Sequence, residues 1–196
     1  MADEEEQTYT LTMENGEVAK TSWGYSGKGQ AVYSNGEMYD GDFVDGKRAG
    51  KGKYSYANGD KYDGEFQDNK KHGIGKLTYN QKGEYFGFFE NGKKHGDGMF
   101  TYPNKDIYSG WWKYGRKHGK GTYVFSDTGM RLIGDWSEGK MTNGRWVFPN
   151  GVNYEGTFEY NKPKGKGTWS FQNGNTLQGE YIQHVLPADE DADVGE

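Results

Sequence analysis

The sequence repeats itself about every 23 residues, and this period limits the architectures that the chain can adopt. A Tyr-x-Gly unit recurs at 22- to 24-residue intervals. Its clear copies begin at Tyr39, Tyr62, Tyr85, Tyr108 and Tyr154, and weaker copies begin at Leu132 and Leu177. Self-similarity at this period is typical of chains that stack one supersecondary unit on the next. Stacked repeats present extended binding surfaces more often than a closed catalytic pocket.

The composition favours a single layer of structure over an ordinary globular core. Of 196 residues, 33 are glycine, 16% are aromatic, and the whole hydrophobic class makes up only 32%. Tyrosine, phenylalanine and tryptophan can bury large areas from one layer. Disorder is the competing interpretation, and aromatic residues at fixed spacing argue against it. The chain has no cysteine, which excludes disulfides and thiolate metal sites.

Each repeat has the pattern of a β-hairpin. In the repeat that begins at Tyr62, positions 1, 3 and 5 and positions 16 and 18 alternate with polar residues, as half-buried strands do. Asn-Gly pairs such as Asn35-Gly36 close the repeats and predict tight hairpins in which both loop residues have positive φ. We therefore predict an all-β fold: an elongated, twisted, single-layer antiparallel meander of stacked hairpins, with no helical domain.

The repeat resembles the MORN repeat (membrane occupation and recognition nexus), whose pattern is similar to Y-x-G-x-[FW]-x-x-G-K-x-H-G-x-G. Matching stretches begin Tyr39-Asp-Gly41-Asp-Phe43, Tyr62-Asp-Gly64-Glu-Phe66, Tyr108-Ser-Gly110-Trp-Trp112 and Tyr154-Glu-Gly156-Thr-Phe158. The resemblance covers residues 24–181, with repeats starting near 16, 39, 62, 85, 108, 132, 154 and 177. Residues 8–23 are predicted to hold a capping strand. Residues 1–7 are predicted to be an acidic disordered tail, and residues 182–196 a second acidic tail.

The charge is distributed unevenly along the chain. The net charge is −5, with nine carboxylates in the two tails and an excess of about four positive charges in the body between them. The acidic N-terminus does not resemble a leader sequence, and no apolar run approaches the roughly 20 residues that span a bilayer. We expect a soluble intracellular protein whose tails promote solubility.

Three histidines lie at the same position of successive repeats: His72, His95 and His118. Equivalent positions of adjacent hairpins are about 9–10 Å apart, so these side chains cannot converge on one metal ion. The sequence also contains no nucleophile elbow, P-loop or zinc-protease motif. We predict no metal, no cofactor and no enzymatic activity.

Pairs of basic residues recur at one end of each hairpin. The pairs of the central repeats are Lys70 and Lys71, Lys93 and Lys94, and Arg116 and Lys117. Such a row can attract an acidic protein or an anionic membrane surface. It can also serve only to keep a sheet edge soluble. The neighbouring carboxylates argue against nucleic acid as a partner.

A second candidate surface lies where the repeats depart from their own pattern. Positions 2 and 4, predicted to face water, are Asp40 and Asp42 in one repeat and Asp63 and Glu65 in the next. In the central repeats the corresponding face is predicted to become apolar, which indicates a protein interface. The candidate residues are Phe86, Phe88, Met99, Trp111, Tyr114, Val124, Ile133 and Val147. The alternative is that these residues close a second small core.

Departures from the regular repeat narrow the resemblance within the family. The copy at Leu132 lacks its histidine, and it follows a turn with one extra residue. The turn Asn161-Lys162-Pro163 contains a proline, and the last copy ends Gly179-Glu-Tyr181. This succession resembles the MORN proteins of radial spoke heads in motile cilia and flagella.

That resemblance implies a non-enzymatic scaffold of the axonemal radial spoke head that supports spoke-head assembly and motility. It implies a location in the cytoplasm, in the cytoskeleton of the cilium or flagellum. The implied partners are other spoke-head subunits, central-pair projections, and a second copy or a paralogue. A MORN adaptor that docks on phosphoinositide membranes is the alternative, although membrane lipid is not the expected partner.

Overall fold

The computed structural model describes residues 8–182, which form sixteen β-strands and no helix. The chain divides into two compact units, Met1–Lys93 (unit 1) and Lys94–Glu196 (unit 2). All strand pairs within each unit are antiparallel. The predicted fold class is therefore confirmed in each unit: an all-β, single-layer antiparallel meander.

Unit 1 contains the first eight strands. They are β1 (Thr10–Met13), β2 (Val18–Ala19), β3 (Gly27–Val32), β4 (Met38–Val44), β5 (Lys47–Ser55), β6 (Lys61–Gln67), β7 (Lys70–Tyr79) and β8 (Gly83–Glu90). Their order in the sheet is β2-β1-β3 and then the order of the chain. β1 lies in the segment predicted to hold a capping strand, and its Leu11 is fully buried.

Unit 2 contains the remaining eight strands. It begins at Lys94, which is the second residue of β9. The strands are β9 (Lys93–Thr101), β10 (Ile107–Lys113), β11 (Arg116–Val124), β12 (Arg131–Ser137), β13 (Lys140–Val147), β14 (Asn153–Glu159), β15 (Lys162–Ser170) and β16 (Thr176–Tyr181). Their order in the sheet follows the chain. The degenerate copy at Leu132 still forms a hairpin, β12–β13, whose bulge lies between Asp135 and Trp136. Residues 1–7 and most of the predicted C-terminal tail lie outside the described residues.

The core of each unit is a ladder of edge-to-face aromatic rings. In unit 1, Tyr62 packs with its ring centroid 5.1 Å from both Phe66 and Phe89, at nearly perpendicular angles. In unit 2, Tyr108 repeats this arrangement between Trp112 and Trp136. Edge-to-face pairs at this distance stabilise a core by about 0.5–1.5 kcal/mol beyond the area that they bury. The repeating tyrosine is therefore the residue on which successive hairpins pack.

The tyrosine hydroxyl also fixes the backbone of its own strand. Tyr62 Oη donates to the carbonyl of Glu65 at 2.9 Å, and Tyr108 Oη donates to the carbonyl of Trp111 at 3.1 Å. The hydroxyl leaves no room for a side chain at the glycine between these residues. A Cβ on Gly64 would lie 2.6 Å from Tyr62 Oη and 2.5 Å from Gly75 Cα. The Tyr-x-Gly motif is thus a packing unit.

For the Asn-Gly pairs that close the repeats, the prediction of a hairpin turn with two positive-φ residues is wrong. At Asn35-Gly36 only the glycine has a positive φ, 81°. Asn35 Oδ1 accepts a hydrogen bond from the N–H of Glu37, and Tyr33 and Glu37 flank a three-residue loop. Asn is favoured here because its side chain mimics a backbone turn. The sequence signal marked the correct place but the wrong loop length.

The tight two-residue turns lie at the opposite ends of the hairpins. Both loop residues have positive φ at Asp68-Asn69, where the values are 48° and 68°, and at Tyr114-Gly115, where they are 50° and 93°. The flanking residues Gln67 and Lys70 pair directly. Only some of these turns contain the Asn-Gly or Asp-Gly signature, so propensity alone does not locate them.

Candidate partner-binding surface

Alternate residues of each strand point away from the aromatic core, and we call the surface that they form the outer face. In unit 1 the outer face of the first repeats carries ion pairs, and Met38 of β4 is 41% exposed there. Lys53 lies opposite Asp63 on the neighbouring strand, and their charged groups are 3.6 Å apart. The last hairpin of the unit, β7–β8, keeps one such pair, Lys76 with Glu84 at 2.7 Å. Exposed pairs of this kind contribute little to stability and keep the surface hydrated.

The last hairpin of unit 1 changes this character. Phe86 and Phe88, two predicted interface residues, are 53% and 46% exposed. Phe88 pairs with Ile74 of β7, which is 44% exposed. Sequence analysis did not select Ile74, although its alternation with Gly73 and Gly75 placed it on this face.

The strongest apolar cluster of unit 2 lies on β9 and β10. Met99 pairs with Ser109, so it lies diagonal to Trp111, and both side chains are 41% exposed. The ring of His95 lies 6.4 Å from Trp111 and 5.9 Å from Tyr114. Tyr114 is 67% exposed and belongs to the tight turn rather than to a strand. Three predicted residues therefore lie in one cluster, with the His95 ring between two of them.

The other predicted residues of unit 2 are not contiguous. Val124 and Val147 both pair with Arg131, which stands between them and is exposed. Ile133 lies between Thr122 and Arg145 in the same way. All three apolar side chains are half-buried, so this part of the face alternates apolar and polar groups.

An open cavity of about 460 Å³ lies on this part of the outer face. Ile133, Asp135 and Arg145 are among the residues that line it. Lys120, which also lines the cavity, forms an ion pair with Asp135 at 2.7 Å. Its lining therefore combines an apolar side chain with charged ones.

The basic pairs are divided between solvent and core. The second cation of each pair lies over aromatic rings: Lys71 Nζ is 5.7 Å from the Phe89 centroid, and Lys94 Nζ is 4.6 Å from that of Trp112. Lys117 Nζ is 5.0 Å from the Trp136 ring, and its residue is only 8% exposed. Cation–π contacts of this kind are worth about 0.5–2 kcal/mol each.

The first cation of each pair points outward. Lys70 and Lys93 are exposed, and Arg116 forms an ion pair with Glu138 at 2.5 Å. Half of the predicted basic edge is thus part of the core. Burial lowers the pKa of Lys71 below its ordinary value, and nearby Asp60 only partly offsets this effect. The buried cations contribute to packing rather than to a free electrostatic surface.

The second cation of each basic pair occupies a fixed position of its strand, which we call the slot. The register shows that the slot is a general feature of the repeat, which sequence analysis missed. The slot faces position 5 of the repeat, where Phe43 pairs with Arg48 and Phe66 pairs with Lys71. In the last two complete repeats the slot residues are Met141, opposite Trp136, and Pro163, opposite Phe158. The proline that appeared to be a turn signal is therefore a buried slot residue.

A second polar feature of the core is a carboxylate that precedes the repeat tyrosine. Glu37 accepts hydrogen bonds from Tyr54 Oη at 2.6 Å and from the N–H of Ala57. Burial acts to raise the pKa of Glu37, but hydrogen bonds from Tyr54 and Asn35 outweigh it and hold that pKa below its ordinary value. Asp106 is the counterpart in unit 2, where Tyr123 Oη donates to it at 2.7 Å.

The histidines occupy separate environments. His72 pairs with Glu65 across the β6–β7 bulge, whereas His95 packs on Trp111. Among residues 8–182, no group of three or more His, Cys, Asp or Glu side chains is placed to hold a metal ion. The same part of the chain contains no helix long and apolar enough to cross a membrane.

Comparison with known proteins agrees with the repeat pattern. The MORN-repeat profile matches residues 39–61, 62–83, 85–107, 108–130 and 154–176. It leaves out the degenerate copy between 131 and 153, which the structure shows as a hairpin. No curated protein sequence matches the chain.

The solved structures that match the chain include two domains of low sequence identity. One is the TCP domain of Drosophila melanogaster SAS-4 in complex with a proline-rich motif of Ana2, with a TM-score of 0.52, 16% identity and 88% of each chain covered. The other is the TCP10 domain of Danio rerio CPAP in complex with a STIL peptide. It has a TM-score of 0.34 and 14% identity, and covers 79% of this chain and 80% of that one. The first shows that a similar fold occurs in a distant protein.

Proposed function

The chain belongs to the MORN-repeat family, a family of structural repeats, and we propose that it is a non-enzymatic scaffold of the axonemal radial spoke head. Scaffold and protein-binding roles are those that the repeat architecture supports. The proposal of a spoke head rests on the order of regular repeats, a degenerate repeat, the Asn161-Lys162-Pro163 segment and the Gly179-Glu-Tyr181 ending.

One observation carries the proposal of a protein partner. The outer face of unit 2 exposes Met99 and Trp111 beside the His95 and Tyr114 rings, whereas the first repeats of unit 1 carry ion pairs on that face. A monomeric protein seldom leaves large aromatic side chains clustered in water. Aromatic residues and methionine are also enriched in protein interfaces.

The surroundings of the cluster favour a protein over a membrane as the partner. A phosphoinositide surface needs a row of free cations. Here Lys71, Lys94 and Lys117 lie over aromatic rings, and Arg116 is paired with Glu138. The SAS-4 domain of similar fold was solved in complex with a proline-rich motif of another protein, Ana2. An extended peptide segment is accordingly a candidate form of the partner.

The test is identification of the partner. The tagged full chain is incubated with salt extracts of axonemes, and the recovered proteins are identified by mass spectrometry. We expect other spoke-head subunits to be recovered. In parallel, the chain is floated with liposomes that contain or lack phosphoinositides. Flotation that requires phosphoinositides, without any spoke-head subunit in the recovered set, would contradict the proposal.

A further inference from the structure

The last strand of unit 2 carries an incomplete repeat. Every residue of β16 is exposed, and Leu177 is 58% exposed. Leu177 occupies the repeat position of Tyr62, Tyr108 and Tyr154, which are at most 1% exposed. In the complete repeats the next strand packs over this core position. Exposure of Leu177 therefore indicates that such a covering strand is missing at this edge among the described residues.

The glycines show the same difference. A Cβ on Gly110 would lie 2.5 Å from Gly121 Cα of the covering strand. A Cβ on Gly179, the corresponding glycine of β16, would have no atom within 4 Å. In the described part of the chain, no strand lies on the side of β16 away from β15.

The backbone of β16 is oriented to accept another strand. Phe171 N–H donates to the carbonyl of Asn175 at 2.9 Å, which fixes the first hydrogen-bonded pair of the β15–β16 hairpin. Hydrogen-bonded and non-hydrogen-bonded pairs alternate from there. The backbone groups of Leu177, Gly179 and Tyr181 therefore face β15, and those of Thr176, Gln178 and Glu180 face the open edge.

The complete repeats show what chemistry fits this edge. The strand that covers Tyr39 places Tyr54 opposite it, Gly52 opposite Gly41, and Arg48 opposite Phe43. The strand that covers Tyr108 does the same with Tyr123, Gly121 and Lys117. On the outer face, Lys53 pairs with Asp40. Glu180 of β16 has the repeat position of Asp42, whose carboxylate accepts a hydrogen bond from the N–H of Lys51 in the covering strand at 3.1 Å.

We infer that the β16 edge of unit 2 binds an extended segment of another protein by β-strand addition. The segment carries a glycine, an aromatic residue two positions after that glycine, and a basic residue four positions before it. These are the residues of the second half of a MORN repeat. A folded second copy does not offer such a strand from β5, β7, β11, β13 or β15, because each is already paired on both sides. This inference does not depend on the spoke-head proposal or on the Trp111 cluster.

The probe is a peptide with the β5 sequence Lys47–Ser55, which contains Arg48, Gly52 and Tyr54 at these spacings. It is titrated into the isotope-labelled full chain and followed by amide chemical shifts. We expect saturable shifts concentrated in residues 176–182. A control peptide with valine in place of Gly52 is expected to produce no such shifts. The equivalent glycine that covers the leucine copy at Leu132 is Gly144, where a Cβ would lie 2.6 Å from Gly134 Cα of the facing strand.

The matched variants of the protein are Gln178→Pro and Gln178→Ala. Proline removes an N–H that points to the open edge, and it is tolerated on edge strands. We expect Gln178→Pro to weaken binding by up to about tenfold, the effect of losing one hydrogen bond, and Gln178→Ala to bind as the parent chain does. Circular dichroism checks that both variants are folded.

Three results would overturn the inference. Equal peptide binding by Gln178→Pro and Gln178→Ala, both folded, would show that the peptide does not add to β16. Shifts concentrated around Trp111 would place the peptide on the outer face. A concentration-dependent dimer in sedimentation, lost in Gln178→Pro, would identify a second copy as the occupant of the edge.

Discussion

The first repeats of unit 1 and the later repeats of unit 2 place different kinds of residue at the same core position, the slot. In the former, Arg48 and Lys71 fill the slot opposite the position-5 aromatic residue, whereas Met141 and Pro163 fill it in the latter. Both kinds of residue place a long or flat apolar surface on neighbouring rings. The interior therefore requires shape and register at this position, and charge is secondary.

On the outer faces, by contrast, the change from charged to apolar side chains alters what the surface can bind. Side chains there do not hold the rungs together, so they are free to change. Unit 1 begins with ion pairs such as Lys53 with Asp63, and unit 2 carries the Met99 and Trp111 cluster. The period therefore specifies how the core packs, and under the proposed function the departures on the outer face form the surface that binds a partner.

The largest expected effect is a difference in unfolding free energy between a glycine on a strand that is covered by the next strand and a glycine on the uncovered strand β16. Gly64→Ala should lower the free energy of unfolding by about 2 kcal/mol or more, because the new Cβ collides with Tyr62 Oη and the backbone of Gly75. Gly179→Ala should change it by less than about 0.5 kcal/mol. Chemical denaturation followed by circular dichroism measures both. Equal effects at the two glycines would mean that β16 is covered like the other rungs.

The slot residues give the next effect. Met141→Lys should destabilise the chain by about 1–2 kcal/mol, because Met141 is 1% exposed and a charge placed there loses hydration that contacts with the neighbouring rings only partly replace. Lys71→Met should cost less than about 1 kcal/mol or should stabilise, because burial already penalises the charged form of Lys71. The two chemical-denaturation midpoints test this asymmetry. A large loss in Lys71→Met with little change in Met141→Lys would show that the slot requires charge.

A smaller effect distinguishes two repeat tyrosines. Tyr62→Phe should cost about 1 kcal/mol, because it removes the hydrogen bond to the carbonyl of Glu65. Tyr154→Phe should be nearly neutral, since Tyr154 Oη has no hydrogen-bond partner among the described residues. Thermal unfolding of both variants provides the measurement, and a larger loss at Tyr154 than at Tyr62 would be inconsistent with these hydrogen bonds.

The smallest effect is a dependence on pH in unit 1. The folded-state pKa of Glu37 is held below its ordinary value of 4.5. Its contribution to stability is therefore complete above about pH 4.5 and is lost as the pH falls through the lower, folded-state pKa. Glu37→Gln should unfold with a slightly flatter pH dependence between pH 5 and pH 3 than the parent chain. If the stability of the two chains changed equally with pH, the hydrogen bond from Tyr54 would not be lowering the pKa of Glu37.

Much of the fold could be predicted because the repeat aligns identical core residues at a fixed period. Tyr62 and Phe66 alternate along one strand, and this pattern alone specifies a buried face. Loop geometry could not be predicted in the same way. Asn35-Gly36 has the residues of a two-residue turn, but its asparagine forms a local side-chain hydrogen bond that favours a longer loop.

The candidate surface was only partly accessible from sequence. Alternation placed Met99 and Trp111 on one face, and the structure brings them close together. Alternation does not report which neighbours separate two residues, so it could not show that Arg131 lies between Val124 and Val147. The burial of Lys71 and Lys117 was hidden for a related reason: a long aliphatic stem lets a charged residue cross from an edge into the core.

The central claim is that the outer-face cluster of unit 2 recognises the partner while the aromatic ladder only supports it. The direct measurement compares spoke-head subunits recovered from axonemal extract by three chains: the parent, Met99→Ser with Trp111→Ser, and the control Asp40→Ser with Asp63→Ser. We predict that the first double variant remains folded and loses recovery by about tenfold or more, as expected for interface hot spots. The control should recover as much as the parent. Undiminished recovery by the folded Met99 and Trp111 variant would contradict the claim.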